Sequence, residues 1–183
     1  MVEGGTRRFG WWDMFVHPDE DPRTDGGWVG ERDTLLGFLR DQRLTLELKC
    51  AGLDAVDLAR RSVPPSNLSL LGLVRHLAGV EQGWFRRRMA GLDVPPLFRA
   101  GDDAQDEFDG AVGDPAVVEH AWTTWRAEVA FTDQYVAAVT DLGAVGAAGD
   151  PLRQVLVHLI EEYARHNGHA DFLRERIDGR VGQ

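Results

Sequence analysis

The stretch "PLRQVLVHLIEEYARHNGHADFLRERIDG", Pro151 to Gly179, decides the fold. An α-helix turns about 100° per residue and rises about 1.5 Å. With Leu152 at zero, Val155, Leu156, Leu159, Ile160, Tyr163, Ala170, Leu173 and Ile177 fall in one arc from about 300° through zero to about 80°. That is an amphipathic helix running to about Ile177, with Asp150 as its cap and Pro151 as its first helical residue. His166 lands at about 320°, inside the apolar arc, and Glu162 at about 280°, on its edge. His158 and His169 fall at about 240° and about 260°, further toward solvent or a neighbouring helix.

Three more helical signals precede it. The first spans about Glu31 to Leu48, with Leu35, Phe38, Leu39, Gln42 and Leu46 on one stripe. "GLDAVDLARRSVPPSN" is a connection with room for a helical turn, stopped by Pro64 and Pro65. The second helix opens among Ser66 to Ser69, good capping residues, and runs to about Ala90 before Gly91. Its stripe is Leu70, Leu73, Val74, Leu77, Val80, Trp84 and Phe85. The third starts at Asp114-Pro115 and carries Val118, Trp122, Trp125, Val129, Thr132 and Val136. No β-alternation appears. The expected fold is all-α, a four-helix bundle over residues 31–183. An irregular arm, residues 1–30, precedes it, and its Trp11, Trp12, Phe15 and Trp28 either dock on the domain or form a lid or dimer contact. The segment from about Gly91 to Asp114 reads as an acidic solvated loop between helices 2 and 3. Its Asp102, Asp103, Asp106, Glu107 and Asp109 lack calcium-loop spacing.

Composition narrows the function classes. The chain has 183 residues, 43% hydrophobic and 27% charged, with net charge −10. That balance argues against nucleic acid and against an anionic membrane surface as partners. No run reaches transmembrane length. "TRRFGWWDMF" has paired arginines but no following apolar segment, so export is not expected and the cytoplasm is. The single cysteine, Cys50, makes neither an internal disulfide nor a cysteine-based zinc site. The basic residues are arginines, save Lys49.

An inward ionisable group needs a partner, because burying it unpaired costs several kcal/mol. Glu162 and His166, four residues apart, can both reach one cation. His158 and His166, roughly 12 Å apart along the axis, cannot share one. A metal needs a third ligand, and the second helix offers His76 at about 240° on its own wheel. The competing reading is a structural Glu162–His166 pair with His76 separate. Glu81, at about 20°, sits at the centre of the second helix's apolar stripe. It pairs either with an arginine such as Arg43 or serves as a further ligand or base.

"PPSNLSLLGLVRHLAGVEQGWF" (64–85) followed by "LVHLIEEYARHNGHADFLRERIDG" (156–179) resembles the DinB-like superfamily. That superfamily includes the mycothiol-dependent maleylpyruvate isomerases and the bacterial thiol S-transferases. The resemblance covers roughly Glu31 to Gly179. It implies a four-helix bundle holding a divalent metal, zinc or nickel, on three side chains. Their matches here are His76, Glu162 and His166. Many members have histidine at the position of Glu162, and a glutamate there resembles the mycothiol-using branch. The implied function is an S-transferase or isomerase, with a low-molecular-weight thiol and a small-molecule electrophile as partners. Two alternatives stand: a hydrolase using metal-bound water, and a non-catalytic bundle binding a ligand or partner. The resemblance leaves a homodimer open. Trp84, Tyr163 and Arg165 are candidates to line the pocket, or else to pack or pair.

Overall fold

The computed structural model describes residues 10, 14–23, 26–98 and 106–181. The helices are α1 (Glu31–Cys50), α2 (Ala55–Ala59), α3 (Leu70–Glu81), α4 (Asp106–Asp109), α5 (Pro115–Ala138) and α6 (Leu152–Asp178). Among the described residues there is no strand, only isolated bridges of Met14 with Val181 and Val145 with Pro151. The fold is all-α, and its four long helical elements are α1, α3 with its continuation, α5 and α6. None of the helices is long and apolar enough to cross a membrane. Trp11, Trp12, Asp102 and Asp103 lie outside the described residues.

Local chemistry sets the helix ends. Ser69 caps α3 by accepting from the Gly72 amide at 3.1 Å. Asp114 caps α5 through the Ala116 amide at 2.8 Å, with Pro115 as the first helical residue. The same pattern misleads at α6. That helix begins at Leu152, and Pro151 is its cap, without a side-chain bond. Asp150 instead accepts from Arg88 at 2.6 and 2.9 Å, since a charged donor competes well for a carboxylate.

The expected second helix changes character halfway. After Glu81 the backbone widens into a π-helical segment, Gln82–Met89, closed by an Ala90 amide to Phe85 carbonyl bond of 2.9 Å. The loop before α6 seals its end. The Ala147 and Ala148 amides donate to the Met89 and Arg88 carbonyls. A Cβ on Gly146 would come within 2.7 Å of Met89, so only glycine fits that approach.

α1 packs on α6, and α3 packs on α5 and α6. The core holds Leu39, Leu46, Leu71, Val74, Leu77, Phe85, Trp125, Leu156 and Leu159, all buried. Each fully buried leucine contributes about 1.5–3 kcal/mol. At the centre lies one polar network. Arg43 donates to Glu81 through Nε at 2.8 Å, and also through NH2. Thr132 donates to Glu81 at 2.6 Å, and the Tyr163 hydroxyl also donates to Glu81, at 2.9 Å. Trp125 in turn donates to the Tyr163 oxygen at 2.7 Å. One carboxylate thus ties α1, α3, α5 and α6 together. Burial, then the Glu81 charge, holds the Tyr163 phenol well above its ordinary range. Burial also pushes the Cys50 thiol up to about 12, so it is an inert apolar filler.

The described part of the arm docks over the α1–α6 face. Phe15 lies under the Lys49 ammonium, at 5.1 Å, and the Arg174 guanidinium, at 5.5 Å. Lys49 is 2% exposed and ion-paired with Asp171. Trp28 packs on Phe38 with ring centroids 5.0 Å apart. Phe38 is therefore not a core residue. It is half exposed and serves the arm. Trp28 sits where a Cβ on Gly37 would be. Replacing Gly37 by alanine improves intrinsic helix propensity by about 0.5–1 kcal/mol. It also expels the indole, so the expected net result is a loss of about 1–2 kcal/mol. Trypsin cleavage at Arg23 should rise with it, measured by limited proteolysis beside thermal melting. Unchanged arm protection would contradict this packing.

Candidate functional site

Two glycines on α3 seat the short helix α4. A Cβ on Gly72 would come within 2.9 Å of Phe108, and one on Gly79 within 3.1 Å of the Glu107 carboxylate. Between them on the same helix stands His76. Its ring stacks on Phe108 at 5.6 Å. Its Nδ1 meets Glu107 Oε2 at 2.9 Å, and Arg75 holds the Glu107 carbonyl at 2.7 Å. Glu107 is 4% exposed. It is not part of a solvated loop, contrary to the sequence expectation. The seat formed by Gly72 and Gly79 takes its carboxylate out of water and sets it against an imidazole.

With Nδ1 engaged, His76 turns Nε2 toward α6. That atom lies 4.0 Å from Glu162 Oε2, and His166 Nε2 lies 3.5 Å from the same oxygen. The His76 and His166 rings are 4.6 Å apart. One donor atom from each of His76, Glu162 and His166 lies within 4.8 Å of the other two. Burial and the neighbouring His76, His169 and Arg165 lower the His166 pKa to about 4. Its imidazole is neutral at neutral pH and free to act as a ligand.

His158 and His169 stand around this trio rather than clear of it. His158 Nε2 is 3.3 Å from the other Glu162 oxygen, and its ring packs on Trp84 at 4.5 Å. His169 Nδ1 is 3.3 Å from His166 Nδ1. Glu81, the candidate for a further ligand or base, and Tyr163, a candidate to line the pocket, both leave the site. Glu81 is committed to Arg43, Thr132 and Tyr163, and Tyr163 is fully buried in that network.

A cavity of about 660 Å³ opens beside His76, on the α3 side of the trio. His76, Glu107, Gly83, Trp84 and Arg87 line it. The π-helical segment supplies Gly83, Trp84 and Arg87, consistent with the tendency of such segments to occur at functional sites. None of the described arm residues lines this cavity. The arm's Pro18, Asp21, Arg23, Gly26 and Trp28 border a different one of about 840 Å³, shared with α1 and α6.

The mycothiol-S-transferase family model matches residues 34–179 of the chain. The chain belongs to this family, which is DinB-like. No curated protein and no solved structure matches it.

The donor set suits a divalent cation. Two imidazoles and a carboxylate are common zinc ligands, and imidazole also suits nickel. Donors about 2.0–2.1 Å from a tetrahedral zinc lie about 3.3 Å from one another. The 3.5 Å between His166 and Glu162 is close to that, and the 4.0 Å between His76 and Glu162 is wider. The Glu107–His76 bond is the kind of outer contact that fixes the tautomer of a ligating histidine. Replacing Glu107 by glutamine is expected to weaken divalent-metal affinity by about 10–100-fold without unfolding the bundle. Competition with a chromogenic chelator measures this, and an unchanged affinity would remove Glu107 from the site.

Proposed function

We propose that this chain is a metal-assisted, thiol-dependent S-transferase. It would hold a divalent metal, zinc or nickel, on His76, Glu162 and His166, and join a mycothiol-type thiol to a small electrophile. A transient addition that permits isomerisation is the same chemistry run in both directions. The observation that carries this reading is the convergence of three donor side chains from α3 and α6, one of which, His76, lines a cavity, in a member of the mycothiol-S-transferase family. A divalent metal supplies positive charge that lowers the pKa of a thiol placed against it.

The chain's own residues do the rest. Glu107 keeps the proton on His76 Nδ1 and leaves Nε2 as an acceptor. The low pKa of His166 keeps that imidazole unprotonated. Trp84, braced by His158, forms an apolar wall beside the ligands. The reading also places the protein in the cytoplasm, where low-molecular-weight thiols stay reduced.

The test pairs metal analysis of the purified protein with a panel of thiols and a chromogenic electrophile. Stoichiometric metal and strictly thiol-dependent turnover are expected. Turnover without thiol would instead indicate hydrolysis, and absence of both metal and turnover would indicate a non-catalytic bundle.

A further inference from the structure

Arg86, Arg87 and Arg88 follow one another on the π-helical segment, and their fates differ. Arg86 donates to Glu128 at 2.5 Å and covers the Phe131 ring. Arg88 is held by Asp150, with its guanidinium over Trp84 at 4.9 Å. Arg87 lines the cavity beside His76 and has no hydrogen-bond, ion-pair or ring partner among the described residues. Gly83 lines the same cavity, and a Cβ there would meet nothing within 4 Å. Arg87, one turn on, is exposed, and the space beside Gly83 is open among the described residues.

A chain of net charge −10 repels anions at long range, so an anion enters only where a local cation holds it. A guanidinium fork matches a carboxylate with two parallel hydrogen bonds. We infer that this cavity takes a carboxylate-bearing molecule, with the carboxylate on Arg87 and the reacting part on the side lined by His76. The identity of the reacting part rests on the transferase reading, but the anion site does not. Asp93 also lines the cavity and has no partner among the described residues. It opposes an anion, so it supplies a control of opposite sign.

Succinate is the binding probe, titrated by calorimetry without thiol. Monomethyl and dimethyl fumarate are the electrophile pair. In each, the thiol sulfur bonds to one alkene carbon, the C=C π bond breaks, and the thiol proton ends on the neighbouring carbon. Arg87→Gln should weaken succinate and lower kcat/KM for monomethyl fumarate by about 10–100-fold, the worth of a charge-assisted hydrogen-bond pair. Dimethyl fumarate should change by less than about two-fold, because an ester lacks the charge that Arg87 reads. Arg87→Lys should keep kcat and raise KM for the acid alone. Asp93→Asn should tighten succinate.

A second arm fixes dimethyl fumarate and compares N-acetylcysteine with N-acetylcysteamine. A loss in Arg87→Gln confined to N-acetylcysteine supports the anion site and assigns the carboxylate to the thiol. Equal losses on charged and neutral partners in both arms, or no loss anywhere, overturn the inference. Arg87-dependent succinate binding in a protein that turns over no thiol would sink the transferase reading and leave this one standing. Thiol turnover with no Arg87 dependence would do the reverse.

Discussion

Replacing His76 by alanine is expected to abolish stoichiometric divalent-metal binding while the helices remain. The loss should exceed the roughly 100-fold upper range for removing an outer partner of a ligand, because a donor atom itself disappears. The fold should survive, since the His76 side chain is about a quarter exposed and sits at the surface of α3 rather than in its apolar stripe. A ligand present at about 100 times its dissociation constant stabilises the native state by about 2.7 kcal/mol. For a domain of this length each kcal/mol moves Tm by about 2–4 °C. A chelator should therefore lower Tm of the unmodified protein by about 5–10 °C and leave His76→Ala unmoved. His166→Ala and Glu162→Ala should behave alike. Full metal occupancy in His76→Ala would mean that the trio is a structural contact and nothing more.

The largest stability loss is expected at Glu81, away from the cavity. Glu81→Ala removes the buried counter-charge of Arg43, leaves it only the largely exposed Asp133 carboxylate, and strips acceptors from Thr132 and Tyr163. Breaking one side of a buried ion pair costs about 3–5 kcal/mol. That corresponds to a fall in Tm of about 10 °C, read by thermal denaturation. Changing both partners, Arg43→Met with Glu81→Leu, should recover most of it, because the penalty is that of a buried charge that has lost its buried partner. The double variant separates this account from simple loss of packing. If it is no more stable than Glu81→Ala, the pair is not what holds the four helices in register.

The residues on α6 were legible because a long regular helix makes phase a faithful guide. Its arc singled out Glu162 and His166, and the edge position of His76 on the second helix allowed the meeting that the structure displays. The Glu81–Arg43 pair was legible for a related reason: a carboxylate in the middle of an apolar stripe demands a cation. Glu107 was not legible. It belongs to a four-residue helix inside an acidic stretch, where there is no period to count. The only signal was indirect, Gly72 and Gly79 clearing the helix on either side of His76. The π-helical widening was also invisible, since the apolar spacing of Trp84 and Phe85 fits an ordinary helix as well. At Asp150 the local rule named a cap, but Arg88, distant in sequence, took the carboxylate instead.

Lys49 has a practical consequence. It carries the only side-chain amine in the chain, and that amine packs against the Phe15 ring of the arm. Amine-directed reagents such as activated esters therefore find no lysine on the closed surface. Coupling to beads or dyes by that route falls on the N-terminal α-amine, and reaches Lys49 only in molecules whose arm has lifted. The acylated fraction at Lys49 becomes a clock for arm opening, read on one peptide by mass spectrometry, without any engineered label.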